Sequence, residues 1–213
     1  MHRTRLAAAT ALALALTAAS ARAQRVSLTP DIGVYVPTTQ LISVATGGPA
    51  TDLLEQKISL SIGGKLDLWF NQRLGIQGTG TYAPSQLSVS TAGIGASTDA
   101  NIFMASSRLM VYLIPPSRPI SFLVNGGVGW VSRSGQAYSG VSDNSDVTGT
   151  FGAAVGFHLG PFLSLRLTGE SYIYKPDFLA ETLTDVATQN DFNLSLGFGI
   201  PLLGMGSRPA SGN

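Results

Sequence analysis

Residues 57 to 70 run Lys-Ile-Ser-Leu-Ser-Ile-Gly-Gly-Lys-Leu-Asp-Leu-Trp-Phe, with an apolar residue or Gly at every even position and mostly polar residues at the odd ones. Side chains alternate across a strand, so Ile58, Leu60, Ile62, Leu66, Leu68 and Phe70 share one face and Ser59, Ser61, Lys65 and Asp67 the other. The same two-residue period recurs along the chain. It predicts strands over Val26–Val36, Lys57–Phe70, Arg73–Tyr82, Ile102–Ile114, Ile120–Arg133, Val147–Leu159, Phe162–Tyr174 and Asp191–Ile200. Each is longer than the five or six residues usual in soluble sheets and matches the ~9–11 that a tilted membrane strand needs.

The connections are sorted by length. Asn71-Gln72, Pro115–Pro119 and Gly160-Pro161 are tight, whereas Pro37–Gln56, Ala83–Asn101, Ser134–Asp146 and Lys175–Asn190 are long. Long and short alternate strictly, which places every tight turn at one end. Short periplasmic turns, long extracellular loops and an even strand number characterise barrels of bacterial outer membranes, and this pattern puts both termini in the periplasm. The fold class expected is all-β: an eight-stranded antiparallel up-and-down transmembrane β-barrel with four long extracellular loops.

Ahead of the first strand stands MHRTRLAAATALALALTAASARA, basic at His2, Arg3 and Arg5, apolar from Leu6 to Ala19, and ending Ala-Arg-Ala. This is the pattern of a cleaved secretory signal over residues 1–23. Its apolar run of about 14 residues is too short for the ~20 of a spanning helix. The barrel domain is then expected over 24–203, with a flexible tail over 204–213. Removing Arg3, Arg5 and Arg22 leaves 10 basic against 12 acidic residues. That balance excludes the basic footprint of a nucleic-acid binder. Without cysteine there are no thiolate metal sites and no thiol catalysis.

Aromatic residues in the apolar phase fall near strand ends, as the interfacial girdles of a membrane barrel require. Tyr82, Phe103, Trp130, Phe151 and Phe192 lie toward the long loops, and Phe70, Phe122, Phe157 and Phe198 toward the tight turns. In the opposite phase small neutral residues such as Ser59, Ser61, Thr79, Asn125, Thr150, Asn193 and Ser195 dominate, as a narrow lumen demands. Asp31, Lys65, Asp67, Arg108, Arg166 and Glu170 share that phase. Facing lipid near the midplane, an Arg or Lys would cost ~2–4 kcal/mol, so these six charges are expected inside. An unpaired buried charge is expensive, which predicts that Arg108 or Arg166 pairs with Glu170, and Lys65 with Asp67 or Asp31.

No catalytic, cofactor-binding or metal-binding residue is assigned. His158 is the one histidine after the signal, and neither Ser164 nor Glu170 stands at a triad-like spacing from it. The glycines of Gly75–Gly80 and Gly126–Gly129 lie inside alternating strands and not between a strand and a helix, so they are not phosphate loops. Acidic residues crowd the long loops, and Asp143, Asn144 and Asp146 offer oxygen ligands that would suit calcium. Short helical turns are expected over Ala50–Gln56 and Asp177–Thr188.

The signal, the eight strands, the Gly160-Pro161 turn followed by Phe162–Leu167, and the Gly-rich Val124–Trp130 strand together resemble the small outer-membrane β-barrel family, which includes the membrane domain of outer-membrane protein A. The resemblance implies a non-enzymatic structural, surface-interaction or small-porin-like role in the outer membrane. Its partners would be outer-membrane lipids including lipopolysaccharide and the assembly machinery, and the chain would be a monomer without cofactors. The alternatives are a lipid A-modifying outer-membrane enzyme and a soluble lipocalin-like ligand-binding barrel, in which the apolar phase would face inward. One departure from the family pattern is that such barrels often end on an aromatic residue in their last strand, whereas this chain continues past Phe198 and Ile200 through Pro201 to Asn213.

Overall fold

The computed structural model describes residues 25–38, 42–45, 51–91, 94–139, 144–160, 163–175 and 188–203. The described strands are β1 (Arg25–Pro37), β2 (Ile42–Ala45), β3 (Thr51–Gln56), β4 (Ser59–Trp69), β5 (Leu74–Ala83), β6 (Gln86–Thr91), β7 (Ile94–Asp99), β8 (Asn101–Ile114), β9 (Ile120–Ser134), β10 (Ser145–His158), β11 (Ser164–Tyr174) and β12 (Gln189–Leu203). A 3-10 turn, η1, covers Gln136–Tyr138. Eight strands close a barrel in the order β1-β12-β11-β10-β9-β8-β5-β4, antiparallel throughout. Closure leaves no unpaired edge, because β12 returns to β1 with Asp31 opposite Gly197 and Val34 opposite Leu194.

The alternation settles which face is which. Ile32, Leu60, Ile62, Leu109, Val128, Phe151, Leu167, Leu196 and Phe198 are exposed on the outside, whereas Asp31, Lys65, Asp67, Arg108, Arg166 and Glu170 are buried. A lipocalin-like barrel would have the reverse arrangement. Leu68 departs from its phase, being 5% exposed where it stands opposite Val26, itself 8% exposed.

Two of the long connections are more ordered than loops. A four-stranded antiparallel sheet, β2-β3-β6-β7, repeats above the rim the strand order β1-β4-β5-β8 of the wall beneath it. The wall is thus continued past short breaks at Lys57-Ile58 and Pro84-Ser85. Three contacts hold the breaks together: Lys57 N–H to the Gln86 carbonyl at 2.8 Å, Ser85 Oγ to the Lys57 carbonyl at 2.6 Å, and Ala100 N–H to the Ser85 carbonyl at 2.9 Å. The helical turn expected over Ala50–Gln56 is corrected by β3, whose backbone pairs with Ser88, Val89 and Ser90 of β6 and so satisfies its hydrogen bonds across strands. The segment Asp177–Thr188 lies outside the described residues except for Thr188, which is not helical.

At the other end the turn between β4 and β5 is compact. Asn71 Oδ1 accepts the N–H groups of Arg73 at 2.8 Å and Leu74 at 2.7 Å, a side chain completing a turn that the backbone alone leaves unsatisfied.

Candidate functional site: the filled lumen

The inward side chains form three tiers. In the middle tier, Lys65 Nζ on β4 lies 2.5 Å from Asp31 Oδ2 on β1 and 3.6 Å from Glu170 Oε2 on β11, and donates to Ser195 Oγ at 3.0 Å. Arg108 Nη1 on β8 pairs with Glu170 Oε1. Glu170 therefore receives one cation from each side of the lumen, linking β4, β8 and β11 with β1. The Arg108 guanidinium also lies over the Tyr172 ring, 5.0 Å from its centroid.

Toward the tight turns, Arg166 Nη1 reaches Asp67 Oδ2 at 2.7 Å, and Gln77 Nε2 donates to Asp67 Oδ1 at 2.7 Å. Below them Trp69 and Tyr112 stack with ring centroids 4.4 Å apart, and the Arg25 guanidinium lies 5.4 Å over the Trp69 ring. Met110, Leu123 and Ala154 pack with the two rings. This tier is an aromatic floor.

Toward the long connections, Arg133 Nη1 meets Asp146 Oδ2 at 2.5 Å, and the Arg133 guanidinium lies 4.9 Å over Tyr174, whose hydroxyl donates to Asp191 Oδ2 at 2.6 Å. Tyr35, Ile102, Met104 and Val131 fill the space between. Tyr138 in η1 caps the tier by donating to Gln56 Oε1 at 3.1 Å, while Gln56 Nε2 donates to the Ala100 carbonyl at 2.8 Å. Burial pushes the Tyr138 hydroxyl up to about 12.

All six charges singled out from the sequence lie in this lumen, with Arg108 on Glu170, Lys65 between Asp31 and Glu170, and Arg166 on Asp67. Sequence reasoning missed Arg133 and Asp146, because Asp146 was read as loop whereas β10 begins one residue before it. Its carboxylate is engaged by Arg133, and Asp143, the first of the three oxygen donors that would suit calcium, lies outside the described residues. The large inward residues Tyr35, Trp69, Tyr112, Tyr172 and Tyr174 were also missed, since aromatic residues were sought in the apolar phase. They stand among the small neutral side chains that line the rest of the inside, such as Ser61, Thr79, Asn125, Thr150, Asn193 and Ser195. Their signal was present: each shares the odd or even phase of a charged neighbour two or more residues away on the same strand.

On the outer wall Tyr82, Phe103, Trp130, Phe157, Phe192 and Phe198 are exposed, and Phe70 and Phe122 are half-buried. Phe151 is exposed but stands seventh of the 14 residues of β10, mid-strand where the alternation suggested a place nearer the long connections. His158 stands opposite Ser164 in the β10–β11 register, yet its Nδ1 makes no hydrogen bond. Glu170 lies opposite Gly152, six residues further along β11, so no carboxylate of that strand orients the imidazole.

A family model described as outer membrane protein beta-barrel domain matches residues 9–199. No curated protein matches the chain by sequence. Among solved structures, the outer membrane protein OprG from Pseudomonas aeruginosa is similar with a TM-score of 0.60 at 10% identity, over 85% of this chain and 97% of OprG. Neisserial surface protein A has a TM-score of 0.48 at 13% identity, over 82% of this chain and 96% of its own. The outer membrane enzyme PagL has a TM-score of 0.38 at 12% identity, over 83% of this chain and 99% of its own. Identities this low speak for fold alone. The family match spans most of the sequence and agrees with the closed eight-stranded wall: the chain belongs to the outer membrane protein beta-barrel domain family, whose place is the bacterial outer membrane.

Proposed function

We propose that this protein is a non-enzymatic integral barrel whose filled lumen makes a rigid support for a surface-interaction platform outside the cell. The observation that carries the reading is the lumen itself. Three ion-paired clusters and two layers of aromatic side chains cross it, which favours a structural support over a small porin. The sorting of tight turns to one end supports an orientation with both termini in the periplasm and the β2-β3-β6-β7 sheet beyond the outer leaflet. In that sheet β2 and β7 occupy the edges, where a partner strand would add. Outer-membrane lipids, including lipopolysaccharide, and the assembly machinery are the partners this reading requires, with the barrel a monomer.

A lipid-modifying enzyme is the less favoured reading, because His158 sits at the tight-turn end with no carboxylate of β11 to orient it. Cysteine labelling in intact cells tests the platform and its orientation together. A membrane-impermeant maleimide should react with Ser139→Cys, exposed beside η1, and should reach Ser117→Cys, exposed in a tight turn, only after the outer membrane is permeabilised. Labelling of Ser117→Cys alone in intact cells would invert the orientation and remove the platform.

A further inference from the structure

The tight-turn end carries a cluster that the filled lumen does not use. The register of β8 against β9 shifts between Tyr112, opposite Leu123, and Ile114, opposite Phe122. A bulge sets two residues of one strand against one of its partner and re-aims side chains. Here both Leu113 and Ile114 are exposed, at 54% and 44%, beside Ile120 at 51% where β9 begins. The doubled outward step widens the lower edge of the apolar belt into a shelf.

Two arginines flank this shelf. The Arg73 carbonyl accepts the Tyr112 N–H at 2.8 Å, which holds the β4–β5 turn beside β8, and Arg118 sits in the β8–β9 turn closed by its own N–H to the Pro115 carbonyl at 3.2 Å. Between them lies an open cleft of about 570 Å³ lined by Arg73, Arg118 and the exposed aliphatic residues of the shelf. Neither guanidinium has an ion-pair partner among the described residues. Asp67, two residues before the end of β4, is buried and taken by Arg166.

We propose that the cleft binds a phospholipid, with Arg73 and Arg118 on the headgroup phosphate and the upper part of an acyl chain against Leu113, Ile114 and Ile120. The planar guanidinium fork matches phosphate oxygens, and two of them with no competing carboxylate leave an anion-seeking edge. A free anion would gain nothing from the aliphatic half of the cleft. A lipid whose phosphate lies at the polar edge of the belt and whose chain runs along it meets both halves.

The test uses protein refolded and delipidated in a neutral detergent, with native mass spectrometry as phosphatidylglycerol is added. Arg73→Gln/Arg118→Gln should bind roughly thirtyfold more weakly than the parent, about 1 kcal/mol for each cation taken from the anionic headgroup. Each single variant should fall between, and Lys57→Gln, changed at the far end, should bind like the parent. Millimolar inorganic phosphate should not displace the lipid, and diacylglycerol should not replace it. Heat-modifiable gel migration selects the folded fraction, and the single variants decide the matter if the double variant does not fold. Undiminished binding by the arginine variants, full displacement by inorganic phosphate, or equal binding of diacylglycerol would each overturn the site.

Discussion

Trp69 and Tyr112 stack inside the barrel with their ring planes 19° apart, although their strands, β4 and β8, do not pair with each other. Gly75 on the intervening β5 makes this possible. It stands opposite Trp69, and a Cβ there would lie 2.8 Å from Trp69 Cε3 and 2.7 Å from the Leu68 carbonyl oxygen. The residue without a side chain lets the indole lie flat across β5 to reach the phenol.

Gly75→Ala should therefore destabilise the barrel by about 1–3 kcal/mol, the usual cost of overpacking a filled interior. Urea unfolding in detergent micelles measures this. A midpoint equal to that of the parent would mean that the ring does not occupy the position described.

The two tryptophans have opposite surroundings, Trp69 being 1% exposed in the lumen and Trp130 44% exposed on the wall. In bilayers containing brominated acyl chains, Trp69→Phe, which keeps Trp130, should lose most of its fluorescence, and Trp130→Phe should lose little. Comparable quenching of both would contradict the inward assignment of β4's odd residues.

Lys65 holds Asp31 at 2.5 Å and faces Glu170 at 3.6 Å, with all three side chains shut off from solvent. Lys65→Met strands the Asp31 carboxylate, leaves Glu170 to Arg108 alone, and should cost about 3–5 kcal/mol, as breaking a buried pair does. Adding Asp31→Asn should restore part of the loss, since one carboxylate is then neutral. Additive losses in the double variant would show that the two residues are not coupled.

Leu109 lies between the inward residues Arg108 and Met110 and is 51% exposed on the wall. Leu109 is the ninth of the 14 residues of β8, and Leu109→Arg should destabilise the barrel in bilayers by about 2–4 kcal/mol, the cost of an arginine facing lipid near the midplane. Leu109→Ala should lose far less. An arginine tolerated as well as alanine would mean that this face does not meet lipid.

Much of the wall was legible because its signal is local. The run Lys57–Phe70 contains β4 at Ser59–Trp69, and the other seven barrel strands likewise fall within a few residues of their alternating segments. Partnerships were less legible because they depend on closure. Arg133 and Asp146 meet through the β9–β10 register, in which Asp146 stands opposite Val131, and no spacing along the chain announces this. The β2-β3-β6-β7 sheet was hidden for a different reason. Its strands have only four to six residues, too few for a two-residue period to stand out from a polar loop, and their pairing is inherited from the wall below.

The central claim is that the lumen is filled, and single-channel recording across planar bilayers addresses it most directly. The refolded parent protein should give no conducting events under an applied potential, and Glu170→Ala, which removes the carboxylate shared by Lys65 and Arg108 but leaves the other ion pairs and aromatic layers in place, should give no steady conductance either. Steady, ion-selective conductance by the parent protein that Glu170→Ala alters would contradict the account and make this barrel a pore.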